Sequence, residues 1–326
     1  MRTLIAVISV LLSVAVLAQA PAAQLSADDA VRIREFYRLA AQIQDNIWPN
    51  WSQTPAPLLL VTTSTEFLTH HPAPPKDFTK IGGDLYARPR QFSPDLLATF
   101  PAFGPPSVIV IGEPANTSSK TSTPWLITLM HEHFHQLQNA QPGYIQGVEE
   151  LGLTHGDNTG MWMLNYPFPY EKQDLAQGFA RLRDLLFGAL SEPDGDKFAK
   201  LAEQYIGERK KFFGQLATDD RKYLSFQLWQ EGIARYTEIK AAEAAAKFQP
   251  SAEYAALPDF ESFGAYASRA RSKTLEELRQ SDLAKSKRLV VYSFGAAEGF
   301  LLDRVNPKWK DEYFKRPFST DALFEK

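Results

Sequence analysis

Three of the six histidines in this 326-residue chain fall within five positions, in His131-Glu132-His133-Phe134-His135. The pattern H-E-x-x-H has a physical reason. Residues i and i+4 share one face of a helix, so His131 and His135 can present imidazole nitrogens to a single ion. Glu132 is one residue further on, about 100° around the helix, beside such an ion rather than on it. Its carboxylate there suits taking a proton from a water that the ion activates. His133 points roughly 200° from His131 and reads as a solvated or hydrogen-bonded bystander. The chain has no cysteine, so a metal site must be built from His, Asp and Glu. Nitrogen and oxygen ligands of this type favour zinc.

A catalytic zinc site takes three protein ligands and keeps one position open. The residues that follow His135, at 136–141, are Gln, Leu, Gln, Asn, Ala and Gln, and supply none. Glu149, Glu150, His155 and Asp157 come next, in a stretch that reads as a loop. Glu231 is the stronger candidate. It lies among strong helix formers at 228–242 and directly precedes Gly232, where the missing side chain lets a second helix come close. Glu238 is seven residues on, on the same helical face, and suits holding the outer nitrogen of a ligating histidine. Arg235 and Tyr236 fall near the same place. The segment NYPFPY at 165–170 reads as a cleft wall or a rigid loop.

Glu231-Gly232-Ile233-Ala234 resembles the E-G-x-A motif of the gluzincin metallopeptidases, whose third zinc ligand is a glutamate on a downstream helix. The stretch VVYSFGAAEGFLLDRVNP at 290–307 resembles the Y-x-x-G helix of aminopeptidase N-type and glycyl-aminopeptidase-type gluzincins. The resemblance covers three short motifs in the family's order. It implies that His131, His135 and Glu231 bind zinc. It implies that Tyr292 donates a hydrogen bond to the oxyanion of a tetrahedral intermediate, with Gly295 as a close-packing glycine. The G-x-M-E-N segment that holds a free amine in aminopeptidase N-type enzymes has no counterpart here, and Phe294 stands where a lysine is often found.

These residues need a scaffold. Ser26 followed by Asp29 reads as a capped helix start, with apolar spacing running to about Ile47. Between Trp48 and Thr123 proline is frequent, and short apolar runs at 58–63, 84–88 and 107–112 read as strands. Thr123 is the expected N-cap, and Pro124 the first-turn residue, of a histidine helix that ends before Pro142-Gly143. Further helices are expected at about 171–190, 195–213, 219–247, 260–280 and 288–305. The fold class expected is α+β. It has a small N-terminal mixed sheet (residues 23–123), a helical part (124–326) and the active-site helix at their junction, gluzincin-like and forming one unit. The strand at 107–112 is expected to offer an edge to an extended peptide.

Met1 and Arg2, the apolar run at 4–18 and the small residues after it read as a signal peptide over 1–22, too short for a membrane span. Export to the periplasm or the outside is therefore expected, without stable membrane association after cleavage. Asn116-Thr117-Ser118 matches a glycosylation sequon, which matters only in a eukaryotic secretory pathway. A net charge of −3 gives no field for nucleic acid. The function expected is an exported zinc metallopeptidase acting on a peptide or protein substrate. A closed, non-catalytic zinc site with a fourth ligand such as His155 is one alternative. A metal hydrolase with a non-peptide substrate is the other.

Overall fold

The computed structural model describes residues 24–157 and 159–325. The expected signal peptide lies outside them. Among the described residues no helix is long and apolar enough to cross a membrane.

The first described element is α1 (Ala27–Ile47), and the Ser26 hydroxyl accepts from the Asp29 amide at 3.1 Å, as the capping pattern predicts. Six strands follow: β1 (Leu58–Val61), β2 (Thr65–Thr69), β3 (Thr79–Gly82), β4 (Leu85–Pro89), β5 (Leu97–Phe100) and β6 (Val108–Gly112). They form one mixed sheet in the order β3-β4-β2-β1-β6-β5, antiparallel except for the β1–β6 pair. The parallel pair β1 and β6 reads LLLV and VIVIG because both faces of these strands are covered. Leu58, Leu60, Ile109 and Ile111 turn to the helices. Leu59, Val61, Val108 and Val110 turn to a second apolar cluster with Leu68 and Phe78.

One expectation is overturned here. The strand at 107–112 is not an edge: β6 lies between β1 and β5. The edge beside it is β5, whose short sequence LATF carries too little alternation to read as a strand.

The rest of the chain is mostly helical: α2 (Ser122–Asn139), α3 (Tyr144–Glu150), α4 (Trp162–Asn165), α5 (Gln173–Ser191), α6 (Gly195–Gln215) and α7 (Thr218–Gln227). A π-helical turn, Leu228–Gly232, joins α7 to α8 (Ile233–Ala245). After these come α9 (Ala252–Ala255), α10 (Phe263–Gln280), α11 (Leu283–Ser286), α12 (Val290–Val305) and α13 (Lys310–Tyr313). The histidine helix α2 begins one residue after Thr121. Thr123 lies inside its first turn, and its hydroxyl donates to the Glu261 carbonyl at 2.5 Å instead of capping.

Helix α2 is clamped between the sheet and the helices. Trp125 Nε1 donates to the Gly112 carbonyl at 2.9 Å, and Gln136 Nε2 reaches the carbonyls of Pro57 and Ser107 at 3.0 and 2.9 Å. On its other side it packs against α1 and α8. The crossing of the π turn with α12 is glycine on glycine. A Cβ on Gly232 would sit 2.6 Å from the Gly295 Cα, and a Cβ on Gly299 would sit 2.5 Å from the Tyr236 ring. No side chain fits between these backbones, so the spacing of the two helices is set by the absence of one.

Gly232→Ala or Gly295→Ala should therefore destabilise the fold by about 1–3 kcal/mol through overpacking. Gly188→Ala, on α5 with nothing within 4 Å of the new methyl, should be neutral or stabilise by roughly 0.5–1 kcal/mol through helix propensity. Urea unfolding of the three variants checks this. Equal stability of Gly232→Ala and wild type would contradict the close crossing.

Candidate metal centre

His131 and His135 lie on the face of α2 that meets the π turn. Their Nε2 atoms are 3.2 Å apart. Glu231 Oε2 is 3.7 Å from the first and 3.5 Å from the second. A circle through three atoms at those separations has a radius of about 2.0 Å, the length of Zn–N and Zn–O bonds. Among the described residues this is the group of His, Asp and Glu whose donor atoms converge closely enough to hold an ion. His131 and His135 are buried, while the Glu231 side chain is 19% exposed, so the face opens to solvent on the glutamate side.

The ring orientations are fixed from behind. Nδ1 of His131 lies 3.2 Å from Glu238 Oε2, and Arg235 pairs with the other oxygen of Glu238. Nδ1 of His135 lies 2.7 Å from Gln138 Oε1. The orientation of the Gln138 amide is not free, because its nitrogen donates to the Trp229 and Gln230 carbonyls at 3.2 Å each. Its oxygen must therefore face His135 and accept from Nδ1–H. Both imidazoles then carry their proton on Nδ1 and leave the Nε2 lone pair pointing at the gap. The two carbonyls that orient Gln138 belong to the π turn that carries Glu231, so one amide ties the second histidine to the third donor. π turns of this kind recur at functional sites because they add a residue and re-aim a side chain.

Charge explains the rest. Burial pulls the His131 imidazole down, but hydrogen bonds to Glu231 and Glu238 and the charge of Glu132 raise it to about 10. Burial likewise raises the Glu238 carboxyl, but Arg235 and then His131 bring it down to about 2. Burial opposes ionisation of Glu231 too, and the two imidazoles hold it well below the usual carboxylate range. Without an ion, a proton on His131 balances these carboxylates at neutral pH.

The other sequence-predicted residues fall into place or out of it. The Glu132 carboxylate is buried and accepts from the Thr99 hydroxyl on β5 at 2.8 Å. The Tyr292 ring is 6.4 Å from that of His131. Burial and the charge of Glu231 raise its phenol, so it is a hydrogen-bond donor at neutral pH. His133 faces away, stacked on Trp51 with ring centroids 5.0 Å apart and held by Gln136 and Gln44. Burial lowers its imidazole to about 4, so it is neutral. Tyr236 bonds Asp303 and points elsewhere.

The alternative ligands do not join the cluster. Glu149, Glu150 and His155 are exposed, and Asp157 caps its own turn by accepting from Thr159 and the Trp162 amide. In the 165–170 segment, Tyr166 stacks on Tyr223 and Tyr170 lies within 3.3 Å of the Tyr223 hydroxyl. Sequence reasoning missed Gln138, Thr99 and Arg288. The first two are neutral residues whose roles depend on contacts distant in sequence. Arg288, whose Nη2 is 3.2 Å from the Tyr292 hydroxyl, sits in a run of ordinary basic residues.

Comparison with family models, curated proteins and solved structures finds no match to this chain.

Replacing Glu238 by Gln or Gln138 by Leu should weaken divalent-ion binding roughly 10- to 100-fold, because each frees an imidazole to rotate or change tautomer. Binding at pH 7 should also expel about one proton, the one that His131 otherwise holds. This release should fade as pH rises through the range where His131 deprotonates by itself. Calorimetric zinc titrations in two buffers of different ionisation enthalpy measure both quantities. Unchanged affinity in both variants would contradict the assigned roles.

Proposed function

We propose that this chain is a zinc-dependent peptidase of gluzincin type, with His131, His135 and Glu231 as ligands and Glu132 and Tyr292 as catalytic residues. The observation that carries this reading is the triangle of Nε2, Nε2 and Oε2 with a base one residue from the first ligand. Two imidazoles and one carboxylate are a donor set used by catalytic zinc, which keeps a fourth position open. The partial exposure of Glu231 suits an open position, and a closed structural site has no need of Glu132.

Zinc bound there would supply Lewis-acid polarisation of the substrate carbonyl. The remaining work falls to side chains. Glu132 takes the proton of the attacking water and later delivers it to the leaving amine. Thr99 fixes the Glu132 carboxylate by donating to Oε2, which leaves Oε1 for the water. Tyr292, kept protonated by its surroundings, donates to the developing oxyanion. Among the described residues strand β5 pairs only with β6, so its outer edge can take an extended peptide by strand addition, beside the base that Thr99 holds. An exported location and a peptide or protein substrate belong to the same proposal.

Glu132→Gln should keep the ion and lose roughly 10²- to 10⁴-fold in kcat. Tyr292→Phe should lose on the order of 10²- to 10³-fold with little change in metal content. The assay is release of new amino termini from an unbiased synthetic peptide mixture by the zinc-loaded protein. Full activity in Glu132→Gln would refute the mechanism. Hydrolysis of aryl esters without any peptide cleavage would replace the substrate class and keep the site.

A further inference from the structure

Arg288 is a cation at the centre that the mechanism above does not use. Its side chain is only 18% exposed, so its charge is partly withdrawn from water. Its hydrogen-bond partners are neutral: Nη1 donates to Gln227 Oε1 and Nη2 to the Tyr292 hydroxyl, each at 3.2 Å. The acid within 4 Å of it is Glu231, whose Oε1 is 3.7 Å from Nη1, beyond a hydrogen bond. The other oxygen of Glu231 faces the two imidazoles. A guanidinium has five donors arranged in a fork that matches a carboxylate, and among the described residues only two of those on Arg288 find a hydrogen-bond partner.

The charges around the centre point the same way. Glu132, Glu231 and Glu238 would oppose the ion, Arg235 and Arg288, and Arg235 also meets the half-exposed Glu277 at 3.4 Å. Among the described residues Arg288 is therefore the cation there without a hydrogen-bonded acid, and a substrate carboxylate suits its fork. The position of that group is also constrained. Arg288 lies in the 3-10 turn (Lys287–Leu289) that leads into α12, and its contacts with Tyr292 and Glu231 put its guanidinium on the side that meets the centre. Its guanidinium stands a single carboxylate group away from the ligand oxygen of Glu231. An anion bound to it therefore lies within about one residue of the polarised carbonyl, given a reach of ~3.5 Å per residue.

We propose that Arg288 binds a substrate carboxylate located within one residue of the bond that is cut, either the C-terminal carboxylate or an acidic side chain next to that bond. The proposal rests on the peptidase reading and narrows it to a substrate class.

The first test needs no turnover. Binding of benzylsuccinate, a dicarboxylate, and of 3-phenylpropionate, which lacks the second carboxylate, is measured calorimetrically on zinc-loaded protein of verified metal content. Wild type should bind benzylsuccinate at least 10-fold more tightly, the size expected of a charge-assisted hydrogen-bonded pair. Arg288→Gln should bring the two affinities together, and Arg288→Lys should keep part of the difference. Thermal melts show that each variant is folded. Equal affinities in wild type, or an undiminished preference in Arg288→Gln, would overturn the proposal. Failure to retain zinc would count against the metal site itself and is read separately.

The two sources are then told apart by activity. A loss of 10-fold or more in Arg288→Gln, seen with free C-terminal peptides and not with their amides, assigns the terminal carboxylate and exopeptidase action. The same loss seen with Asp or Glu beside the bond, and not with Asn or Gln, assigns the acidic side chain. No discrimination in either series rejects both.

Discussion

Three carboxylates, those of Glu132, Glu231 and Glu238, are gathered around two imidazoles in an interior where an uncompensated charge is expensive. Each is balanced differently. Glu238 has Arg235, and Glu132 has the Thr99 hydroxyl. Glu231 has Arg288 at 3.7 Å from one oxygen, beyond a hydrogen bond, and turns the other to the two histidines. That arrangement is neutral enough to stay buried only when a proton or a metal ion stands between the three side chains. The upward pull on His131 and the downward pull on Glu231 are two views of the same demand. A divalent ion meets it better than a proton, because it satisfies all three donor atoms at once.

The fold brings the glutamate to the histidines by removing bulk and by adding one residue. At Gly232 and Gly295 the backbones of the π turn and α12 touch, which sets Glu231 and Tyr292 side by side on neighbouring helices. The π turn adds a residue to an otherwise continuous helical run. Two carbonyls of that turn orient Gln138, which in turn orients His135. The backbone around the third donor and the ring of the second are thereby one mechanical unit. The sheet contributes the other end of the site, because α2 is anchored to its carbonyls and β5 holds Glu132.

Much of this was legible from residue types and spacing, for reasons that differ by element. The long helices announce themselves because their apolar residues recur over several turns and their ends carry local signals, such as Ser26 with Asp29. Strands β1 and β6 are legible because burial on both faces makes them continuous apolar runs. The strands TEFLT, TKIG and LATF are not, since short strands of mixed residues owe their state to pairing, β2 inside the sheet as much as β3 and β5 at its edges. Because β5 carries no such signal, the sequence places at β6 an edge that β5 in fact provides. At the site, His131, Glu132 and His135 follow from helical periodicity, and Glu231 from a glycine that predicts a close crossing. Gln138, Thr99 and Arg288 carry no local signal. Their meaning arises only when segments far apart in the chain are folded together.

The central claim is that His131, His135 and Glu231 jointly hold one metal ion. It is tested most directly by the metal content of the purified protein, wild type beside Glu231→Ala, after equilibration with zinc and gentle removal of excess. The account predicts about one zinc per wild-type chain and loss or strong weakening in the variant, with both proteins folded. A folded wild type that holds no metal, or a Glu231→Ala variant that holds zinc as tightly as wild type, would contradict it.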